Sequence, residues 1–278
     1  MIELPEAVTL ACEIDDELTG RRIGSVTIAD DRPRFMFLNE DLDSYSARLV
    51  GRRIETVAGS GKWIPATLDS GNILLLGELF GRLSYIPSGE DLPKKAHAVV
   101  AFEGGGRLVM TVQAWGGFLV LTPKELAAHP HAGSQGISPI DAAFTPERFD
   151  EILDGSGEWS RKPIKAFLVH EGNVCGIGNG YLQDILFRAR LSPKRKVPDL
   201  SPAERVRLHH AIVATMAEAI EKGGRDTEKD LYGAPGDYVP ILDRRAKDRP
   251  CPDCGTPIEK ISYLGGSCYV CPSCQLAP

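Results

Sequence analysis

Gly176-Ile177-Gly178-Asn179-Gly180 is the stretch that sorts the rest of this chain. Before it, Ile164, Phe167 and Leu168 recur at i, i+3, i+4; after it, Leu182, Ile185, Leu186 and Ala189 recur at i, i+3, i+4, i+7. Both spacings predict helices. Three glycines within five residues permit φ > 0 and a close approach of the backbone. A tight turn here can aim N–H groups outward at the start of the second helix, which is a seat for phosphate. The same letters also fit a corner that only packs. Arg188 speaks for that plainer reading, because Asp184 four residues earlier is an adequate helical partner for it. What flanks the corner decides between the two.

At 278 residues and 42% hydrophobic, the chain can bury a real core and is long enough for two domains and a small module. No run of about 18 apolar residues predicts a membrane span, and the first residues lack the basic-then-apolar layout of an export signal. Of seven cysteines, five fall after residue 250, which argues for metal binding rather than disulfides and for a reducing cytoplasm. The net charge of −6 argues against a nucleic-acid binder only as a single number. Residues 161–278 hold 18 Lys/Arg against 14 Asp/Glu, or +4, leaving 14 against 24, or −10, for residues 1–160. Clustered charge, not the sum, makes an electrostatic footprint, although an acidic half is a cost to any such reading.

Taken in order, Pro5 suits a first helical turn, Ala7, Leu10, Ala11, Ile14 and Leu18 make one apolar face, and Gly20 stops the helix. Glu3 and Glu6 then sit where a carboxylate complements the helix dipole. Between Arg22 and Leu121 come short β runs at Ile23–Ile28, Arg34–Leu38, Ile73–Leu76, Leu83–Ile86, Val99–Phe102, Leu108–Val112 and Phe118–Leu121, a spacing that predicts a sandwich or barrel. Phe102-Glu103-Gly104-Gly105-Gly106-Arg107 reads as a hairpin turn. Residues 129–144 read as a linker, with His129 and His131 as solvated loop residues. Helices take over at Thr145-Pro146-Glu147, with Phe149, Ile152 and Leu153 as the buried face. Ser201-Pro202-Ala203-Glu204 is a capping box for a long helix ending at Gly223-Gly224. His209 and His210 read as ordinary residues of that helix, and Cys12 and Cys175 as buried apolar residues. Residues 223–250 lack a period and read as a long loop, of the kind that is usually functional or disordered.

Cys251-Pro252-Asp253-Cys254 and Cys271-Pro272-Ser273-Cys274 are separated by sixteen residues, the spacing of two knuckles around one tetrahedral Zn²⁺. Four protein ligands leave no open position, so the zinc is expected to be structural. Cys268 offers a second register with Cys271, but only the outer pairs share the Cys-Pro-x-Cys form.

Leu4-Pro5-Glu6, the Gly-Ile-Gly-Asn-Gly-Tyr corner with Phe187-Arg188-Ala189-Arg190 and Pro193 behind it, and the terminal four-cysteine ribbon together resemble the formamidopyrimidine-DNA glycosylase and endonuclease VIII family. The resemblance covers essentially the whole chain. It implies an α+β multidomain protein: an N-terminal β-sandwich with an N-terminal helix (1–128), the linker (129–144), a helix–two-turns–helix domain with its long loop (145–250), and a zinc ribbon (251–278). It also implies a monomeric, cytoplasmic, nucleoid-associated DNA-repair enzyme that grips double-stranded DNA with a damaged base or abasic site between its halves, with no membrane partner. The expected chemistry is that of a bifunctional DNA glycosylase and AP lyase. The N-terminal amine, carried by Met1 or Ile2, attacks C1′ of the nucleotide, and the Schiff base leads to β-elimination. An α-amino group with a pKa of about 7.7–8.0 is a readier imine-former than a lysine near 10.4. Glu3 matches the family's acid, Lys62 a lysine that contacts phosphate beside the lesion, and Asn179, with Gly178 before it, an asparagine that holds backbone phosphate. Leu79 and Phe80 resemble the apolar wedge that fills the gap left by the extruded base, though a strand-end core pair fits them as well. Residues 223–250 correspond to the loop that closes over that base.

Two positions depart from the pattern. Ile2 stands for the family's proline, and trimming of Met1 is not expected before so large a residue. One extra residue moves the amine by up to about 3.8 Å, where a misplacement of about 1 Å can cost a hundredfold in rate. Gly266 stands for an arginine that contacts phosphate from the ribbon. The alternative expectation is therefore a family member that binds damaged or structured nucleic acid without turnover.

Overall fold

The computed structural model describes residues 1–276. It divides into two compact units, one formed by Met1–Ser134 with Lys222–Asp237, the other by Gln135–Glu221 with the chain from Tyr238 onward.

The first unit opens with α1 (Leu4–Leu18), which has proline in its first turn and buries Ala7, Leu10, Ala11, Ile14 and Leu18. Gly20, at φ +82°, stops it. Cys12 is exposed rather than buried, because the 7, 10, 11, 14, 18 stripe faces the core and residue 12 projects from the other side. Then follow β1 (Ile23–Ile28), β2 (Phe35–Phe37), α2 (Leu42–Leu49), β3 (Ile54–Val57), β4 (Trp63–Leu68), β5 (Ile73–Gly77), β6 (Gly81–Ile86), β7 (Ala98–Phe102), β8 (Arg107–Val112), β9 (Trp115–Leu121) and α3 (Pro123–Ala128). They make a four-stranded sheet in the order β1-β7-β8-β6 and a five-stranded sheet in the order β2-β9-β5-β4-β3. Val26, Val100 and Met110 of one sheet share a core with Ile64, Leu74, Leu76 and Phe118 of the other and with α1. This is the expected sandwich.

β5 is buried along its whole length. Leu74 and Leu76 point into the shared core, while Ile73 and Leu75 meet Trp63, Leu119 and Leu121 under Leu126 and Ala132. The linker is therefore partly a cover: His129 is half-buried and lies edge-on to Trp63, with ring centroids 5.8 Å apart. His131 alone keeps the solvated position expected of both.

Four elements of this unit had no expectation, and one of them, α3, is a six-residue helix behind a Thr122 cap. β4 carries Pro65 in mid-strand, which normally demotes a run. It is tolerated because Pro65 faces Leu75 and its carbonyl accepts from the amide of Ala58. β3 contributes a short edge, and α2 buries only Tyr45 and Leu49 behind an Asp41 cap.

In the second unit, α4 (Pro146–Gly155), α5 (Ile164–Leu168), α6 (Asn179–Arg188) and α7 (Pro202–Glu221) bury Phe149, Phe167, Leu182, Ile185, Leu208 and Ile212. β10 (Glu259–Tyr263) and β11 (Gly266–Val270) pair as an antiparallel ribbon. On α7, the Ser201–Glu204 box closes reciprocally, and His209 is buried with Nε2 2.8 Å from the carbonyl of Phe144.

The stretch 223–250, expected to be one loop of the helical domain, is split. Residues 222–237 belong with the sandwich because Leu231 sits in its core. The amide of Leu231 donates to the Glu13 carboxylate at 2.8 Å, and its carbonyl accepts from the amide of Tyr85 at 2.9 Å. Among the described residues, no helix is long and apolar enough to cross a membrane.

Candidate functional site

The glycine corner forms where expected, but only Gly176 uses a left-handed backbone, at φ +79°. Gly178 is the extended N-cap of α6, and Gly180 lies inside the helix. The Gly176 amide donates to the Glu171 carboxylate at 2.9 Å. Asn179, the first residue of α6, donates from Nδ2 to the carbonyl of Ser267 on β11 at 3.2 Å, and its Oδ1 is buried without a hydrogen-bond partner. A Cβ on Gly266 would lie 3.3 Å from Lys165 Nζ and 3.9 Å from Asn179 Oδ1. Lys165, buried on α5, donates from Nζ to the carbonyl of Tyr263 at 2.8 Å and to Cys268 Sγ at 3.3 Å. The corner and the ribbon thus meet through Asn179, Lys165 and Gly266.

The expected Asp184–Arg188 pair does not form. Asp184 is fully buried and accepts from the Tyr238 hydroxyl at 2.7 Å and the amides of Ile241 and Leu242 at 2.9 and 2.8 Å. Burial pushes its carboxyl above the usual carboxylate range and raises the Tyr238 phenol as well. Arg188 turns instead to Glu218 at 2.5 Å. A buried carboxylate anchors a loop better than a surface pair does, since each unmet buried donor costs about 1–3 kcal/mol.

Sγ atoms of Cys251, Cys254, Cys271 and Cys274 lie within 4.8 Å of one another. Tetrahedral Zn–S bonds of about 2.3 Å imply sulfur separations near 3.8 Å, and Cys251–Cys274 and Cys254–Cys271 stand at 3.9 and 3.5 Å. The Thr256 hydroxyl and amide beside Cys254 hold its thiol down, while burial pushes those of Cys271 and Cys274 up, so the case for a metal rests on the sulfur geometry. The four sulfurs therefore fit one metal ion. Cys268 stands apart, taken up by Lys165.

In the first unit, Met1 and Ile2 help line a cavity of about 280 Å³ together with Glu6, Phe80, Arg82 and Glu228. The Met1 amine lies 2.8 Å from Glu228 Oε1. Ile2 is buried, and its amide donates to the carbonyl of Leu79 at 3.0 Å. Glu3 is the N-cap of α1, reciprocally bonded with Glu6 in a capping box. Arg225, also buried, brings these acids together: its Nε is 2.9 Å from Glu6 Oε1, its Nη1 3.4 Å from Glu3 Oε1, and its Nη2 donates to the carbonyl of Met1 at 2.7 Å. Glu6 rather than Glu3 reaches the cavity wall.

Leu79 and Phe80 part company. Gly77 and Glu78 both take left-handed backbones, at φ +150° and +41°, and the turn sends Leu79 fully into the core. A buried leucine cannot enter a base stack, so the wedge expectation fails for Leu79; what it offers here is the carbonyl that holds Ile2. Phe80 is 39% exposed and packs against the equally exposed Trp115, with ring centroids 5.3 Å apart. Lys62 is only 8% exposed, in the turn before β4.

Arg225, Glu228, Lys165 and Trp115 were not singled out from sequence. The one available signal for the first two was the run of alternating charge after Gly223-Gly224, which has no period to place it.

The family model for the formamidopyrimidine-DNA glycosylase N-terminal domain matches residues 1–117, and that for the formamidopyrimidine-DNA glycosylase H2TH domain matches residues 136–230. Among curated relatives, the formamidopyrimidine-DNA glycosylase of Streptococcus pneumoniae is 30% identical over 99% of each chain. That of Symbiobacterium thermophilum is 32% identical over 100% of this chain and 90% of its own. Among solved structures, the Lactococcus lactis Fpg in complex with DNA containing an abasic site aligns with a TM-score of 0.85 at 23% identity, covering 99% of this chain and 100% of that one. The MutM (Fpg) protein of Thermus thermophilus aligns at 0.81 and 27% over 98% of each.

Proposed function

The chain belongs to the formamidopyrimidine-DNA glycosylase family, and on that footing we propose that it is a DNA glycosylase with AP lyase activity, acting on double-stranded DNA at a damaged base or an abasic site. The amine of the leading residue attacks C1′ of the extruded nucleotide, and the Schiff base that forms goes on to strand cleavage by β-elimination. The observation that carries this reading is that Met1 lines a cavity with Phe80, Arg82 and Glu228 and has its amine 2.8 Å from the Glu228 carboxylate.

Each remaining residue has a role in this scheme. Glu3, beside the leading residues and clamped by Arg225, serves the departing base or opened sugar as the acid. Phe80, backed by Trp115, fills the gap left by the extruded base and offsets part of its unstacking cost. Lys62 and Asn179 hold backbone phosphate, with the Gly178-capped start of α6 adding its dipole. Cys251, Cys254, Cys271 and Cys274 hold one Zn²⁺, which supplies folding energy to the ribbon and no chemistry at the lesion. The protein works in the cytoplasm, at the nucleoid, as a monomer.

Borohydride trapping on a duplex with one abasic site tests the reading. The expected product is a covalent protein–DNA complex. A folded sample that binds the duplex and yields none removes the enzyme reading and leaves a binder without turnover.

A further inference from the structure

The leading residue is held at both ends. Its amine lies 2.8 Å from Glu228 Oε1, and its carbonyl accepts from Arg225 Nη2 at 2.7 Å. The same Nη2 is 3.7 Å from Glu228 Oε1, so one guanidinium group fixes both the residue and the carboxylate facing its amine. Arg225 is itself buried and braced by Glu6 and Glu3. Met1 and Glu228 open onto the same cavity. Ile2 has none of this: it is 4% exposed, and its nitrogen is engaged by the carbonyl of Leu79.

An ammonium group has no lone pair to give, so a proton must leave before attack. We propose that the attacking nitrogen is that of Met1, retained in the working protein, and that Glu228 is the base that takes its proton. This inference rests on the imine chemistry proposed above. The ammonium passes one proton to the Glu228 carboxylate. The freed lone pair adds to the C1′ aldehyde of the ring-opened abasic sugar, forming the C–N bond while the carbonyl electrons move to oxygen. A second proton shifts from nitrogen to that oxygen, giving a neutral carbinolamine. Glu228 then returns its proton to the hydroxyl, water leaves, and nitrogen closes the C=N bond of the iminium ion. Glu228 ends as it began, and one water is released for each imine formed.

The extra residue at the front of the chain is thereby absorbed. The nitrogen of Ile2 is an amide buried against Leu79, and one residue upstream the α-amine of Met1 stands beside Glu228.

The test compares the wild-type chain with Glu228→Gln and Glu228→Asp in single-turnover borohydride trapping across pH 6–9. Glutamine keeps an acceptor oxygen for the amine but cannot take its proton. Trapping by Glu228→Gln is expected to fall about tenfold to a hundredfold near pH 7 and to climb towards the wild-type rate as solution base replaces the carboxylate. Glu228→Asp, a carboxylate set back by one methylene, is expected to recover part of the rate at pH 7. Affinity for a duplex carrying tetrahydrofuran, which cannot form an imine, is expected to stay within about twofold in both variants, since proton transfer takes no part in binding. Glu228→Gln trapping with the wild-type rate and pH profile, while the wild type itself traps, overturns the role of Glu228 and leaves the imine reading standing. No trapping by a wild-type chain that binds the duplex overturns both.

Discussion

Gly266 lies where a side chain would meet two others, since a Cβ added there would stand 3.3 Å from Lys165 Nζ and 3.9 Å from Asn179 Oδ1. The first of these is the far end of a flexible side chain, and Gly266 has no left-handed backbone to defend, so a larger residue is accommodated by a small swing of Lys165. Restoring an arginine there adds a cation beside Asn179. Gly266→Arg is therefore expected to tighten binding to an abasic-analogue duplex about fivefold at low salt. It should also steepen the dependence of log K on log salt by about 0.9, the mark of one more phosphate contact. Equal affinity and equal slope in a filter-binding or anisotropy titration would mean that this corner does not meet the DNA backbone. The residue scale is also where sequence reading was weakest. Asp184 looked like half of a surface pair and is a buried anchor for Tyr238, Ile241 and Leu242, because nothing in a helical spacing tells which loop will descend onto it.

Elements were legible wherever burial has a period. α1, β1, α4, α6 and α7 follow directly from apolar spacing and from the caps at Pro5, Thr145 and Ser201. β4 was hidden by Pro65, and α2 by having only two buried residues. Residues 222–237 were illegible for a further reason. They are held by charge and backbone pairing to partners about 220 positions away, Arg225 to Glu6 and Leu231 to Glu13, and such pairing leaves no local pattern. The ribbon is the opposite case, since its ligand spacing is its structure. Its short strands bury only Cys268 and Val270, so a metal ion held by the four sulfurs would supply most of its stability. One zinc per chain is expected by elemental analysis. Cys271→Ser should lose it together with the ribbon's resistance to proteolysis, and Cys268→Ser, whose sulfur faces Lys165 rather than the cluster, should keep both. Zinc lost equally from both variants would place Cys268 among the ligands.

For the whole molecule, the charge division changes once the chain is folded. Split by sequence at residue 160, the halves carry −10 and +4. Split by compact unit, Met1–Ser134 with Lys222–Asp237 holds 16 Lys/Arg against 22 Asp/Glu, or −6, and the remainder holds 16 against 16, or zero. The basic half dissolves, because residues 135–160 bring six acids and one arginine into the helical unit and residues 222–237 take three basic and four acidic residues out of it. Such totals are sums, and the DNA grip proposed here rests on where individual groups are placed rather than on the net charge of either unit. The chemistry proposed above turns on a single amine. The segment Met1–Arg21 contains no lysine and no arginine before its last residue, so trypsin releases it whole with the α-amine as its one primary amine. The most direct measurement is a mass map of the borohydride-reduced complex after digestion of both protein and DNA. The reduced sugar remnant is predicted on the Met1–Arg21 peptide with Met1 still present. A remnant on a lysine-bearing peptide, or on a peptide beginning at Ile2, would contradict the account.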